Sequence, residues 1–366
     1  MARPTAQLTT CQRLALSTLL GTSNVFLTGV AGSGKSHLLK QYLKGLGEGG
    51  RKRFPVLAST GAAAILVGGR TFHSFFGLGI MQGGLKATVE RAMENTRVVR
   101  RLQKVDGVVI DEVSMLSGMT LRAAETIARE ARDVDAPWGG MRVIAVGDFA
   151  QLPPVNPHGS ERDWGFLDPS WIKSSFTPAV LKTIVRTKDP EFSDILNRVR
   201  AGRADEVVVA YLREREQAWV KKPDDHVTRL FGFRDTTEKF NLERLAEVKS
   251  KERIFETVYS GDAKAIEDLK RNAPIPDVLR LKVGARVMLR LNDPNGRWVN
   301  GSLGTIEEID VDSEILTIEL DAGEIAEIEP SPFALLNAEG RELASAKNFP
   351  VNLAYATTIH KAQGMT

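Results

Sequence analysis

VFLTGVAGSGKS, residues 25–36, decides how the rest of the chain is read. Val25 to Leu27 is a short apolar run of strand type, and Gly29, Gly34, Lys35 and Ser36 fit the spacing G-x-x-x-x-G-K-[ST]. Glycines at those places let successive backbone N–H groups turn inward around phosphate oxygens. A lysine there reaches the β- and γ-phosphates, and the following hydroxyl ligates Mg²⁺. Beyond the loop, Leu38, Leu39, Tyr42, Leu43 and Leu46 recur at helical spacing. The loop therefore opens a helix, whose N-terminal amides and dipole add to the anion cradle. The candidate nucleotide contacts are Gly29, Ala31, Gly32, Ser33, Gly34, Lys35, Ser36 and His37. The bland alternative, a structural glycine turn, explains neither Lys35-Ser36 nor the strand–loop–helix context.

Two further strands end in polar residues. VVIDEVSML, residues 108–116, stops on Asp111 and Glu112. Acids at the carboxyl end of a strand lie where open α/β sheets bind ligands. Asp111 is the candidate to position Mg²⁺, and Glu112 the general base for an attacking water. VIAVGDFAQLPPV, residues 143–155, repeats the pattern, and Gln151 can donate and accept at once, as a γ-phosphate or water sensor must. A solvated turn is the alternative for this third segment.

The bulk numbers narrow the class. At 366 residues the chain has room for two or more domains. No apolar run approaches the roughly 20 residues needed to cross a bilayer, so no membrane partner is expected. With one cysteine, Cys11, and five histidines, neither an internal disulfide nor a zinc site is expected, and a cytoplasmic location is the default. The net charge of +3 conceals an asymmetry. Residues 1–150 hold 19 Lys+Arg against 11 Asp+Glu, whereas residues 151–366 hold 30 against 35. Between Trp298 and Gly340 there are eleven acids and no Lys or Arg. A polyanion would favour the first half and avoid the late segment.

Taken together these segments resemble the PIF-type DNA helicases, in the RecD-like branch of superfamily 1. LTTCQRLAL, residues 8–16, looks like the family's adenine-reading motif, with Gln12 as reader. ASTGAAAILVGGRTFHSFFGLG, residues 58–79, is similar to the motifs that hold single-stranded DNA. LKTIVRTKDPEFSDILNRVRAG, residues 181–202, resembles motif IV, whose arginine, here Arg186, reaches the γ-phosphate from the second motor lobe; the family usually has Phe-Arg-Gln where this chain has Val-Arg-Thr. LAYATTIHKAQGMT, residues 353–366, looks like motif V, linking DNA to the nucleotide through His360, Lys361, Gln363 and Gly364.

The resemblance implies an ATP- and Mg²⁺-dependent motor that moves 5′ to 3′ on single-stranded DNA and opens duplex or forked DNA, working as a monomer, nucleoid-associated if bacterial. It implies catalytic roles for Lys35, Glu112, Gln151 and Arg186, metal ligation by Ser36 and Asp111, and a nucleotide contact at Gly364. Thr60, Gly61, Thr71, His73, Ser74, Phe75, Pro153, His360 and Lys361 are the implied DNA contacts. For the phenylalanines of TFHSFF, core packing is the competing reading.

The fold class implied is α/β, with two RecA-like P-loop motor lobes on parallel sheets and a small β-barrel inserted in the second. The first lobe is expected over 1–180, with 80–104 either a wedge-like insertion or a solvated basic helix. The second is expected over 181–278 and 334–366. The barrel is expected over 279–333, where the hydrophobic period changes to two and acids fall on the outer face. Motif V resembles half of a site, and the natural chain is expected to continue beyond Thr366. In the family a later segment supplies a further arginine, so the competing function is a nucleotide-gated single-strand DNA-binding module with weak or no hydrolysis. A metabolic or signalling P-loop NTPase is the third reading, and the motif IV and V resemblances weigh against it.

Overall fold

The computed structural model describes residues 8–59, 70–79, 81, 83–154, 163–187, 189–220, 227–293, 297–336 and 342–362. Its contacts divide the chain into two compact units, one formed by the described residues up to Glu214, the other from Arg215 onward.

The first unit is built on a six-stranded parallel sheet. Its strands are β1 (Val25–Gly29), β2 (Val56–Ala58), β3 (Arg70–Thr71), β4 (Gly107–Ile110), β5 (Arg142–Val146) and β6 (Thr177–Leu181), in the order β3-β2-β4-β5-β1-β6. Successive side chains of a strand point to opposite faces, and the core divides accordingly. Val108, Ile110, Val143 and Ala145 pack on one face with Phe72, Phe75, Phe76 and Trp138. Val25, Leu27, Val109, Ile144 and Val146 pack on the other with Ala15, Leu19, Leu38 and Tyr42. Helices cover both faces, which is why these strands read as unbroken apolar runs.

Residues 80–104 form, in their described part, two helices, α5 (Gly84–Glu94) and α6 (Thr96–Lys104), numbered after α1 (Thr10–Leu19), α2 (Lys35–Gly45), α3 (Gly47–Arg53) and α4 (Phe72–Phe76). Val89, Ala92, Val98 and Leu102 anchor them in the core, while Arg91, Arg97, Arg100 and Lys104 face solvent. The boundary expected near residue 180 falls inside this unit. Backbone N–H groups of Val185 and Arg186 donate to the Gly32 carbonyl at 2.9 and 3.2 Å, and Val30 N donates to Leu181 O at 3.2 Å. These bonds tie residues 181–187 to the P-loop, so Arg186, expected from the second lobe, groups with the first.

In the second unit, strands β11 (Arg286–Leu289), β12 (Leu303–Asp310), β13 (Ile315–Leu320), β14 (Ile325–Ile328) and β17 (Val351–Leu353) form an antiparallel sheet in the order β14-β13-β12-β11-β17. Leu316, Ile318 and Leu320 point inward and Glu319 outward, as the period of two requires. Glu307 and Glu308 are both exposed where the β12–β13 register shifts between Ile306 and Glu308, and Glu324 and Glu327 are exposed as well. The turn expected at Asp321-Ala-Gly323 forms, with Gly323 N donating to Leu320 O at 2.8 Å. The β-rich region extends further than 279–333. β9 (Val258–Gly261) pairs with β16 (Glu342–Asn348), and β16 pairs with β15 (Ser331–Leu336). A parallel pair, β7 (Arg229–Phe231) with β18 (Ala356–Thr358), packs beside a helix at Arg234–Glu247.

Candidate functional site

The carboxyl ends of β1, β4 and β5 converge beside the first turn of α2. Lys35 lies at the N-terminus of α2, and its ammonium donates to the carbonyls of Gly29 at 2.9 Å and Val30 at 3.4 Å. Burial lowers its pKa, while Asp148 and Glu112 pull it up and Arg200 and Arg186 push it down. Those influences place two acids and two arginines within electrostatic reach of one ammonium.

The P-loop is shaped by close approach. Gly34 has φ +84°, and a Cβ there would lie 2.6 Å from Gln12 Nε2. Gly32 has φ +74°, and a Cβ there would lie 2.7 Å from Arg186 Cβ. Gln12 is 4% exposed; its Oε1 accepts from Thr9 N at 2.9 Å and its Nε2 donates to Ser33 O at 3.0 Å. The expected adenine reader is thus a brace between α1 and the phosphate loop. Ser33 Oγ is buried with no hydrogen-bond partner among the described residues, an orphan of the kind that suits an anion ligand. Ala31, Ser36 and His37 are exposed around the mouth of the loop.

Asp111 follows β4 and accepts from Glu112 N at 3.0 Å. Burial raises its pKa against the pull of the Glu112 amide, Lys35 and Lys40. Glu112 itself is left-handed, at φ +50° and ψ 47°, a conformation that costs a residue with a Cβ about 1–2 kcal/mol. Strain of this sort persists where a side chain must be aimed. After β5, Asp148 is 2% exposed. Its Oδ1 accepts from Ala150 N at 3.1 Å, and its Oδ2 accepts from Gln151 Nε2 at 3.1 Å and from the Arg200 guanidinium. Arg200 belongs to a helix at Pro190–Arg200.

The structure thus brings Lys35, Asp111, Glu112, Gln151 and Arg186 to one end of the sheet and adds Asp148 and Arg200, neither of them singled out from sequence. Asp148 carries the signal of an acid closing an apolar strand. Arg200 carries no local signal.

The candidate DNA contacts are spread over both units. Thr71 caps α4, its hydroxyl accepting from Ser74 N at 3.1 Å. Ser74 is exposed, and half-buried His73 has its pKa lowered by burial. Phe75 is a correction: it is 2% exposed, in the core beside Phe76, so its ring is not presented to a base. Its carbonyl instead accepts from Arg101 at 2.6 and 3.0 Å, which ties the basic helix α6 to α4. Pro153 is half-buried after β5. In the second unit, β18 is held by Asn241, which donates to Ala356 O at 3.0 Å and accepts from Ala356 N at 2.8 Å. His360 and Lys361 follow on a short helix, Ile359–Ala362. Thr60, Gly61, Gln363 and Gly364 lie outside the described residues.

The sequence pattern of the PIF1-like helicases matches residues 7–209. An ATP-dependent DNA helicase Pif1 of Bdellovibrio bacteriovorus is 50% identical over 355 residues, covering 97% of this chain and 79% of that protein. The chain belongs to the PIF1-like helicase family. It spans about half the length of the vertebrate relatives it matches, 56% of the Xenopus laevis helicase for example. Among solved structures, Pif1 from Bacteroides sp. in complex with ADP-AlF4 superposes with a TM-score of 0.82 at 28% identity, covering 98% of this chain and 84% of that one. Bacteroides Pif1 with ADP-AlF3 and single-stranded DNA gives 0.64 at 29% identity, with coverages of 98% and 85%. The α/β architecture with a RecA-like lobe and added antiparallel sheets is that of the family. Among the described residues no helix is long and apolar enough to cross a membrane.

Proposed function

We propose that this chain is an ATP-dependent DNA helicase that translocates 5′ to 3′ on single-stranded DNA and separates duplex or forked DNA, acting as a monomer. The observation that carries this reading is the convergence of Lys35, Asp111, Glu112 and Gln151 at the carboxyl ends of β1, β4 and β5, in a chain of the PIF1-like family. Within that site the Lys35 ammonium leaves the Gly29 and Val30 carbonyls for the β- and γ-phosphates of ATP. Glu112 takes the proton of the attacking water, Gln151 orients that water, and Arg186 steadies the charge that develops on the γ-phosphate. Gln12, and Gly364 outside the described residues, complete the nucleotide contacts.

The donor set suits Mg²⁺. Among the described residues no cluster of three His, Cys, Asp or Glu forms a protein cage. Mg²⁺ is ordinarily held by one or two carboxylates with substrate phosphates and water. Ser36 and Asp111 supply a hydroxyl and a carboxylate beside the loop. The ion would neutralise charge on the phosphates.

DNA is held through Thr71, His73, Ser74 and Pro153, with His360, Lys361 and, outside the described residues, Thr60 and Gly61 as further contacts. Small hydroxyls and backbone groups grip the sugar-phosphate chain without reading sequence. The experiment is ATP turnover with and without single-stranded DNA, for this chain and Lys35→Ala, with strand separation on a forked duplex. Turnover stimulated by DNA and lost in the variant is the expected result. Tight ATP-dependent DNA binding with negligible turnover would leave a nucleotide-gated binding module instead.

A further inference from the structure

Helix α6, TRVVRRLQK, holds four cations and no acid in nine residues. Arg97, Arg100, Arg101 and Lys104 stand at i, i+3, i+4 and i+7, so they share one face of the helix. Val98 and Leu102, on the other side, are buried in the core. Arg101 is bound to α4: its guanidinium donates to Ser74 O at 3.2 Å and to Phe75 O at 2.6 and 3.0 Å, and it lies over the Phe75 ring. Arg97, Arg100 and Lys104 are exposed and form no ion pair among the described residues. Exposed cations on other helices are neutralised: Lys86, Arg234, Lys239 and Lys270 each face an acid three or four residues away. In α6, like charges one turn apart repel. Arg97 also lies in the first turn, where the helix dipole disfavours a cation. Both costs are relieved when the face meets a polyanion.

We propose that this face of α6 seats the duplex arm of the DNA, with Arg97, Arg100 and Lys104 against the phosphates of one strand. The proposal rests on the helicase reading above. The face is continuous with the proposed single-strand contacts: Arg101 ties α6 to Ser74, and Val98 packs against Gly77 just past α4, where an added Cβ would lie 2.9 Å from Val98 Cγ2. From there the helix runs to the amino end of β4, where Arg132 donates to Leu102 O at 2.6 Å and Val105 O at 3.0 Å. Arg97 and Lys104 are seven residues apart, about 10 Å along the axis at 1.5 Å per residue. A duplex carries a charge for every ~1.7 Å of its own axis, so the stripe can meet more than one phosphate. A single strand is held by cations together with rings on which its bases stack. This face offers no ring of its own, since Phe75 is 2% exposed and lies beneath Arg101. A duplex keeps its bases stacked on one another and presents phosphate, which cations alone satisfy.

The test is fluorescence anisotropy on a labelled forked duplex and on its single-stranded 5′ tail alone, over a series of potassium chloride concentrations. A triple variant, Arg97→Gln with Arg100→Gln and Lys104→Gln, is compared with the parent. A second triple variant removes three paired cations elsewhere, Arg234→Gln with Lys239→Gln and Lys270→Gln, and so matches the change in net charge. Each phosphate contact on duplex DNA contributes about 0.9 to the slope of log affinity against log salt. In the α6 variant the fork slope should fall by about 2–3 and fork affinity at low salt at least tenfold. Tail affinity, tail-stimulated ATP turnover and the thermal midpoint should stay close to those of the parent. The charge-matched variant should bind the fork within twofold of the parent, and so should Arg97→Lys with Arg100→Lys, which keeps the charges. Fork affinity untouched in the α6 variant would overturn the proposal, as would an equal loss on the tail alone, an equal loss in the charge-matched variant, or a loss that the lysines do not restore. A parent that binds tail and fork alike, with equal slopes, would overturn it too. A parent that prefers the fork but shows no DNA-stimulated turnover would instead sink the helicase reading, and the slopes would still decide where the duplex sits.

Discussion

Gly32 and Gly47 have nearly the same backbone, with φ of +74° and +66°, and very different surroundings. At Gly47 an added Cβ meets nothing within 4 Å. At Gly32 it lies 2.7 Å from Arg186 Cβ and 3.6 Å from Arg186 Cδ and Ile184 Cγ2. Alanine at either site carries the left-handed penalty of about 1–2 kcal/mol. Only at Gly32 must the 184–186 segment also retreat, by about 0.7 Å, to reach the 3.4 Å of ordinary contact. That segment is bonded to the very residue being changed, through the Gly32 carbonyl. Misplacing a catalytic group by about 1 Å costs on the order of 100-fold in rate. Gly47→Ala should therefore lower the urea midpoint and leave turnover alone. Gly32→Ala should lower the midpoint further and reduce kcat about tenfold to 100-fold, with KM for ATP changed much less. Steady-state ATP turnover and urea unfolding on the two variants decide the matter. If Gly32→Ala kept kcat within twofold of Gly47→Ala, Gly32 would not set the position of Arg186 and the argument would be wrong.

Three other outcomes are expected. Glu112→Gln should bind ATP and DNA and lose on the order of 100-fold or more in turnover; unchanged turnover would remove Glu112 as the base. Burial raises the Asp111 pKa, so its contribution to stability is present at low pH and lost as pH rises through the folded value. Asp111→Asn should accordingly raise the thermal midpoint at about pH 8, with the gain shrinking as pH falls toward the ordinary carboxyl pKa of about 4, while turnover is lost; a lower midpoint at pH 8 contradicts the sign. Burial pulls the Cys11 thiol up, but hydrogen bonds with the Thr183 and Thr9 hydroxyls and backbone bonds at residues 182–183 bring it down to about 6. Iodoacetamide should alkylate Cys11 along a titration centred there, and a rate still climbing above about pH 8 would refute the thiolate.

The parallel core was legible because its strands obey two rules at once. Val25–Leu27, Val108–Ile110 and Val143–Val146 are apolar throughout, as burial on both faces demands, and each ends in loop chemistry that names the ligand end of the sheet. β6 was not legible. Its sequence is TPAVL, and a proline usually argues against a strand, but β6 is the edge of the sheet and has a side with no ladder to complete. The extent of the β-rich region was hidden for a different reason. β9 finds β16 across more than eighty residues, and no local period announces a partner that distant. Phe75 shows the limit of a five-residue helix: TFHSFF is too short for the 3.6-residue repeat to separate the face that is buried from the face that is not.

The site divides along the same line between residues defined by their own loop and residues defined by a partner. Lys35, Asp111 and Glu112 follow from strand–loop geometry and could be named from twelve- and nine-residue windows. Arg200 could not, because its place is fixed by a buried carboxylate 52 residues earlier. Yet the electrostatics require such a residue. Lys35 has acids at Glu112 and Asp148 around it, and a site that must admit a polyanionic phosphate cannot present two uncompensated carboxylates to it. Arg200 cancels Asp148, and Arg186 sits against the loop through Gly32. The arginines therefore convert an acid-lined strand end into one that can accept ATP.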